Sequence, residues 1–422
     1  MKSLRSLSIY TFVGFFGAGI NFLVMPILSH YLTPTDYGLI SLINTYVTIL
    51  IPLISLVSYS YIMVQYFHME DKHEFALLFS SVSFIPLVPS ALLFIVGYFT
   101  YDFLAAPLEL PADAKWWALS MFPLATMSIY IDTVASYQII IKDSKYYAFY
   151  TIFKVLLELS LTLLFVMGMG LGWKGRILSW IATSVILTFL NFMYVYRKKL
   201  LTINIKWKYI RASIMFGAPL IFHTLGKFVV NQSDRLFISK MISLKEAGIY
   251  SVGYTIGTVL LIGATALGNI ATPYIMERLK ELNQPKQREI RRFTYFCVIA
   301  LLLILLLMNI ASPFFFKYFM DSRYINGARY VFWVSLGYLF WGIYMIFSAY
   351  IYYYKETRYL IWLALVNIIT NIAFNYFFIR EYGGLGAAYA TALSFLINLI
   401  LLLFKVFRLV PWFRFNMSDF KR

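Results

Sequence analysis

The side chains with the most chemistry in this chain crowd into one apolar stretch, residues 212–241, reading ASIMFGAPLIFHTLGKFVVNQSDRLFISKM. The stretch is apolar enough to cross a bilayer, yet it carries His223, Lys227, Asn231, Asp234 and Arg235. At about 100° per residue, His223, Lys227, Asn231 and Asp234 fall within roughly 80° of one another on one helical face, with Arg235 at its flank. A charge near the bilayer centre costs about 2.5–3.5 kcal/mol on the mildest scale. A helix that keeps three charges must face protein or a wet cavity rather than lipid. That makes this stretch a candidate binding helix. Lys227 and Asp234 are two turns apart, too far for direct contact along the helix, so each needs a partner elsewhere. Arg235 lies nearer the outer end, where it either joins the site or snorkels to the surface.

Other embedded polar residues extend the set. Lys154 and Glu158 are spaced i, i+4 and so face each other. They form either a mutually neutralised pair or a pair whose lysine turns to a cleft. Asp132 and His223 are titratable groups within apolar runs. Each is either packed against a partner or placed to couple transport to a proton or sodium gradient. Asn367, Asn371 and Asn375 recur every four residues as one polar stripe. Amides suit sugar hydroxyls, and they also glue helices together in lipid. Most tyrosines near apolar ends read as interface belt, with Tyr338 and Tyr344 as candidates for stacking on sugars. The pattern contains no metal-ligand cluster, no Ser-His-Asp set and no ATP-binding loop, and no cofactor is expected. Gly14, Gly17 and Gly19, like Gly383, Gly384 and Gly386, read as close packing because no strand precedes them. The single cysteine, Cys297, excludes an internal disulfide and reads as a buried thiol.

The elements that must position these residues follow from composition. The 422 residues are 61% hydrophobic and 13% charged, with a mean hydropathy of +0.74. That charged fraction is about half the usual share of a soluble domain, and the apolar runs define a polytopic, all-α membrane protein. Twelve spans fit, near 8–31, 38–65, 75–101, 115–139, 146–168, 175–196, 212–238, 247–275, 293–317, 329–354, 358–379 and 384–407. The net charge of +17 reads as topology rather than nucleic-acid binding. Of the 36 lysines and arginines, 24 lie in loops on the N-terminal side and 9 in loops on the other. The bias places both termini in the cytoplasm and requires an even number of spans. The loops are short, which leaves no room for an external catalytic domain. The first apolar run is longer than a cleavable signal and reads as a retained helix.

A tandem repeat organises the spans. Residues 32–41, LTPTDYGLIS, align with 242–251, ISLKEAGIYS, at an offset of 210. An acid, any residue, glycine, an aliphatic and serine recur in register. Gly172-Trp173-Lys174-Gly175-Arg176 and Gly383-Gly384-Leu385-Gly386-Ala387 echo each other before the sixth and twelfth spans. Six spans per copy is an even number, so both copies insert the same way, as parallel repeats about an axis along the membrane normal. The expected division is an N-terminal lobe over 1–200, a basic cytoplasmic linker over 201–211 and a C-terminal lobe over 212–422. Two such lobes leave a central cleft suited to alternating access. Pro26, Pro52, Pro86, Pro89, Pro123, Pro219 and Pro313 lie inside spans and permit bends.

With GFFGAGINFLVMPILSHYLTPTDYGLISL at its start, the chain resembles the polysaccharide-transport branch of the multidrug/oligosaccharidyl-lipid/polysaccharide exporter superfamily. Asp234-Arg235 followed by EAGIYS at 246–251, YYYKETR at 352–358 and GGLGAAYATALS at 383–394 add to the likeness, which spans essentially the whole chain. The resemblance implies a V-shaped, two-lobed fold of the multidrug-exporter type. It implies a flippase that moves an undecaprenyl-pyrophosphate-linked O-antigen or capsule repeat unit from the inner to the outer leaflet of the bacterial cytoplasmic membrane. Lys154, Lys227, Arg235, Asn231 and Asn371 would then meet the pyrophosphate and sugar, and Asp132, His223 and Asp234 would couple an ion. Its partners would be the lipid-linked oligosaccharide, membrane lipids, and polymerase or chain-length-regulating proteins, with no nucleic acid. Two rival readings are open: a multidrug or cation antiporter on the same scaffold, and a membrane repeat-unit polymerase. Embedded bases (Lys154, Lys227, Arg235) balance embedded acids (Asp132, Glu158, Asp234), whereas a cation exporter would need acids to dominate, which tilts the reading toward anionic cargo. The lack of a large outer loop speaks against the polymerase.

Overall fold

The structure is a computed structural model that describes residues 2–105 and 115–413. The side chains of much of the first helix, and those of His223 and Lys227, lie outside the described residues. In chain order the helices are α1 (Lys2–Tyr31), α2 (Pro34–Ser55), α3 (Tyr59–Gln65), α4 (Lys72–Ser83), α5 (Leu87–Phe99), α6 (Tyr101–Ala105), α7 (Lys115–Leu119), α8 (Met121–Ile140) and α9 (Ser144–Thr162). They continue as α10 (Gly172–Arg197), α11 (Trp207–Met241), α12 (Leu244–Gly257), α13 (Val259–Leu279), α14 (Gln284–Tyr318), α15 (Ala328–Tyr353), α16 (Thr357–Tyr382) and α17 (Gly384–Leu409). No strand occurs among the described residues. Ten helical stretches there are long and apolar enough to cross a bilayer, and eleven when the two segments of α11, Trp207–Gly226 and Phe228–Met241, count as one span. The 30-residue α1 occupies the place of the first expected span.

Breaks inside spans have local causes. α2 contains Pro52, ends at Ser55, and is followed by Leu56 and Val57 in the left-handed region, at φ 49° and 53°. A β-branched residue there is strained. The turn survives because Ser55 Oγ accepts the Val57 N–H at 3.1 Å. α4 gives way to α5 at Pro86, and α9 runs into a π-helical turn over Leu163–Gly168.

Two compact units divide the chain, Met1–Phe228 and Val229–Arg422. In the first, α2 packs on α8, α1 on α9, and α10 on both α8 and α9. The first segment of α11 belongs to this unit. Gly217 sits so close to the Leu56 carbonyl that no Cβ fits between them, and Ser213 Oγ donates to the Ser58 carbonyl at 3.4 Å. In the second unit α15 is central, packed by α12, α13, α14 and α17, while α16 lies along α17.

The repeated sequence motif has a structural meaning. Thr33 caps α2: its Oγ1 accepts the Asp36 N–H at 3.1 Å, and Asp36 Oδ2 accepts the Thr33 N–H at 2.8 Å. Ser243 caps α12 likewise, accepting the Glu246 N–H at 3.2 Å. In each unit the recurring acid sits at the third helical position, where it complements the helix dipole. Each acid also lies beside the glycine that begins the last helix of its unit or copy, Asp36 by Gly172 and Glu246 by Gly384.

Candidate functional site

The second segment of α11 brings Asn231, Asp234 and Arg235 into the second unit. There α12 supplies Tyr250 and Tyr254, and α15 supplies Tyr330 and Tyr338. Asp234 is 2% exposed and Arg235 6%. Arg235 Nη1 donates to Asp234 Oδ1 at 3.2 Å and to the Asn231 carbonyl at 3.0 Å. The Arg235 N–H donates to the same Asp234 oxygen at 2.9 Å. The other oxygen, Oδ2, accepts the Tyr250 hydroxyl. The Arg235 guanidinium carbon sits 4.3 Å from the centre of the Tyr254 ring. Tyr254 in turn shares a hydrogen bond with the Tyr338 hydroxyl and reaches the Asn231 carbonyl at 3.3 Å.

Electrostatically this cluster is a neutral unit held out of solvent. An isolated buried charge is costly, and a buried pair is tolerable only when its remaining donors and acceptors are met. Here a carboxylate, a carbonyl and an aromatic face meet the guanidinium, and a phenol meets the free carboxylate oxygen. If Asp234 lost its charge, Arg235 would become an uncompensated cation in a low-dielectric site, with strong affinity for an anion.

A chain of contacts leads from this cluster to the end of the unit. The Tyr250 and Tyr330 rings meet edge-on at 5.2 Å. Tyr330 donates its hydroxyl to Glu246, and Arg329 Nη2 reaches both Glu246 and the Tyr330 hydroxyl, the latter at 2.7 Å. A Cβ on Gly384 would lie 2.5 Å from the Tyr330 hydroxyl and 2.8 Å from Glu246 Oε1. Glycine is what lets the acid, the phenol and the start of α17 share one place.

The structure corrects several expectations. Arg235 does not snorkel; its side chain folds back along α11 into the cluster. Asp234 finds its countercharge on the next residue rather than on another span. Glu158 does not pair with Lys154. Its Oε1 accepts Arg176 Nη2 at 2.9 Å and Trp180 Nε1 at 3.0 Å, because the guanidinium reaches from the first turns of α10 and also donates to Thr162 Oγ1. A lysine one turn away on the same helix offers a single-point charge instead of that fork. Tyr338, one of two candidates for stacking on sugar, is buried and bonded to Tyr254.

The remaining candidates are dispersed. Asp132 on α8 is exposed within the span Lys115–Ile140, and Lys154 on α9 is half-buried. A carboxylate there must meet water or protein rather than lipid. Asn371 and Asn375 are buried on α16, with Asn375 Nδ2 donating to the Asn371 carbonyl at 3.0 Å and to its Oδ1 at 3.1 Å. Asn371 Nδ2 and Asn375 Oδ1 lack hydrogen-bond partners among the described residues. His223 and Lys227 lie on α11, Lys227 at the break between its segments, and their side chains lie outside the described residues.

Sequence reasoning missed Tyr250, Tyr254 and Tyr330 as parts of the cluster. The available signal was the pairing of Tyr250 with Tyr254 one turn apart and of Tyr330 with Tyr338 two turns apart, each giving one helical face of phenols.

A bundle with ten apolar helical stretches among the described residues long enough to cross a bilayer, and a buried ion pair in one unit, defines a polytopic membrane protein. The family profile described as polysaccharide biosynthesis protein matches residues 3–279, and the chain belongs to that family. A protein of the Lsg locus of Haemophilus influenzae is 25% identical over 205 residues, 47% of this chain and 50% of that protein. The chain thus matches about half the length of that relative. An uncharacterized membrane protein of the same organism is 23% identical over 368 residues, covering 85% of this chain and 86% of its own length. Two solved structures share the fold. The lipid II flippase MurJ, in an inward closed conformation, gives a TM-score of 0.70 at 17% identity, covering 97% of this chain and 88% of its own. An inward-facing multidrug resistance MATE family transporter of the MOP superfamily gives 0.72 at 12% identity, covering 98% and 99%.

Proposed function

We propose that this protein carries a polyprenyl-pyrophosphate-linked oligosaccharide, an O-antigen or capsule repeat unit, from the inner to the outer leaflet of a bacterial cytoplasmic membrane. In this reading both termini are cytoplasmic. The sequence copies in this reading run over 1–200 and 212–422, joined by the basic linker 201–211, while the boundary of the compact units falls later, between Phe228 and Val229. The matching capped starts of α2 and α12 support the two copies. The observation that carries the reading is the buried Asp234–Arg235 pair in a member of the polysaccharide biosynthesis family.

A pyrophosphate is anionic and strongly hydrated, so it crosses hydrocarbon only if protein groups replace its water. Arg235 is the cation held for it, with Lys227 and Lys154 as further positive groups and Asn231 and Asn371 as amides for phosphate or sugar. Asp234 keeps Arg235 neutralised while the site is empty. A proton or sodium ion that takes over the Asp234 charge frees Arg235 for the headgroup, and departure of the ion restores the pair and expels the cargo. Asp132 and His223 are the other groups suited to ion coupling. The prenyl tail needs no such help and stays in lipid. Polymerase and chain-length-regulating proteins then receive the delivered unit.

The test is leaflet-specific labelling of lipid-linked oligosaccharide in cells lacking the chain. Accumulation on the cytoplasmic face supports the reading. Accumulation of unpolymerised units on the outer face, with normal crossing, sinks it in favour of a polymerase.

A further inference from the structure

Beyond the ion-pair cluster, the last two turns of α11 carry a second feature. Ser233, Leu236, Phe237, Lys240 and Met241 follow the spacing i, i+3, i+4, i+7 and i+8, which is one helical face. With Tyr376 of α16 they line a groove of about 460 Å³. The groove runs for about 12 Å along α11, at 1.5 Å per residue. Its walls are mainly apolar, made by Leu236, Phe237, Met241 and the Tyr376 ring, with Ser233 at one end and Lys240 at the other, where Lys240 is exposed and forms no ion pair among the described residues. No acid lines it.

We propose that this groove is a binding site for an anionic phospholipid of the leaflet at the C-terminal end of α11. One acyl chain lies between α11 and α16, and the phosphate meets the Lys240 ammonium. The chemistry fits at both ends. An apolar channel open to hydrocarbon has no use for a polar ligand, since each unmet polar group there is costly. A lysine at a helix end extends its ammonium to the headgroup layer while its stem lies along apolar surface. A single ammonium matches the single charge of a phosphodiester such as phosphatidylglycerol, whereas a pyrophosphate carries more charge than one lysine meets. Ser233 adds no competing polarity, because its hydroxyl is engaged by the Val229 carbonyl. That this leaflet is the outer one rests on the topology proposed above; the binding itself does not.

The test is native mass spectrometry of the purified full chain released from micelles containing equal phosphatidylglycerol and phosphatidylcholine. Wild type should retain one phosphatidylglycerol in preference to phosphatidylcholine. Lys240→Gln should weaken that preference about five-fold, the worth of one interfacial lysine. Leu236→Trp, which fills the groove without touching the charge, should abolish retention. Lys317, exposed near the same-side end of α14, is the control, and Lys317→Gln should change nothing. Loss of preference with Lys317→Gln equal to that with Lys240→Gln would mean general surface charge and overturn the site. Retention unaffected by Leu236→Trp would overturn the groove. Retention of added undecaprenyl phosphate in place of phosphatidylglycerol would overturn the choice of occupant.

Discussion

At the scale of single residues Arg235 ties the buried cluster together, meeting the Asp234 carboxylate, the Asn231 carbonyl and the Tyr254 ring. Removing it leaves the Asp234 carboxylate buried with Tyr250 and a backbone N–H as its donors. Breaking a buried pair by deleting one partner costs about 3–5 kcal/mol, so Arg235→Gln should lower the detergent melting temperature sharply. The double variant Asp234→Asn with Arg235→Gln keeps shape and hydrogen bonds without charge, and should recover most of that loss. Tyr250→Phe removes one bond to a charged group and should cost about 1.5–3 kcal/mol. A melting series on the four proteins checks the order. If Arg235→Gln melts like wild type, the pair is not the buried unit described here. The polar positions of this cluster were legible in the sequence, because a charge inside an apolar run has few explanations. Their partners were not. Adjacent residues on a helix do not normally face each other, and Asp234 meets Arg235 only because the long side chain turns back to the Asn231 carbonyl. The phenols come from residues up to about a hundred positions away, a relation set by packing alone.

At the scale of elements, the close approaches decide. Gly217→Ala would drive a methyl group into the Leu56 carbonyl at the strained break after α2. It should cost several kcal/mol, typical of overpacking plus backbone displacement, and reduce the yield of folded protein on size-exclusion chromatography. Ser243→Ala removes the α12 cap and should cost about 1 kcal/mol, a milder shift in the same assay. Gly384→Ala should do more than Ser243→Ala, because it displaces Tyr330 and Glu246 together. Equal melting of these two variants would contradict the shared packing of acid, phenol and α17. The spans were readable from hydropathy, and the capped starts of α2 and α12 from the repeated acid. The break at Leu56–Val57 was not, since Pro52 lies a turn earlier and nothing in Leu-Val itself marks a left-handed turn. The shift of Glu158 from Lys154 to Arg176 was hidden for a related reason. Arg176 reads as a loop residue by its neighbours, yet α10 begins at Gly172 and carries it into the unit.

For the whole molecule, the proposed function casts the buried pair as machinery rather than scaffold. A purely structural pair would be dispensable once stability is restored, and a switching pair would not. The double variant separates the two, because it keeps the fold while removing both charges. Asp132→Asn offers a second separation: loss of transport with an unchanged melting temperature would place Asp132 in the transport cycle rather than the scaffold, and unchanged transport would remove it from the candidates for ion coupling. The decisive measurement is the fraction of lipid-linked oligosaccharide reached by a membrane-impermeant label in cells carrying Asp234→Asn with Arg235→Gln, at wild-type protein level. The account predicts that labelling falls to that of cells lacking the chain. Labelling equal to wild type would contradict it.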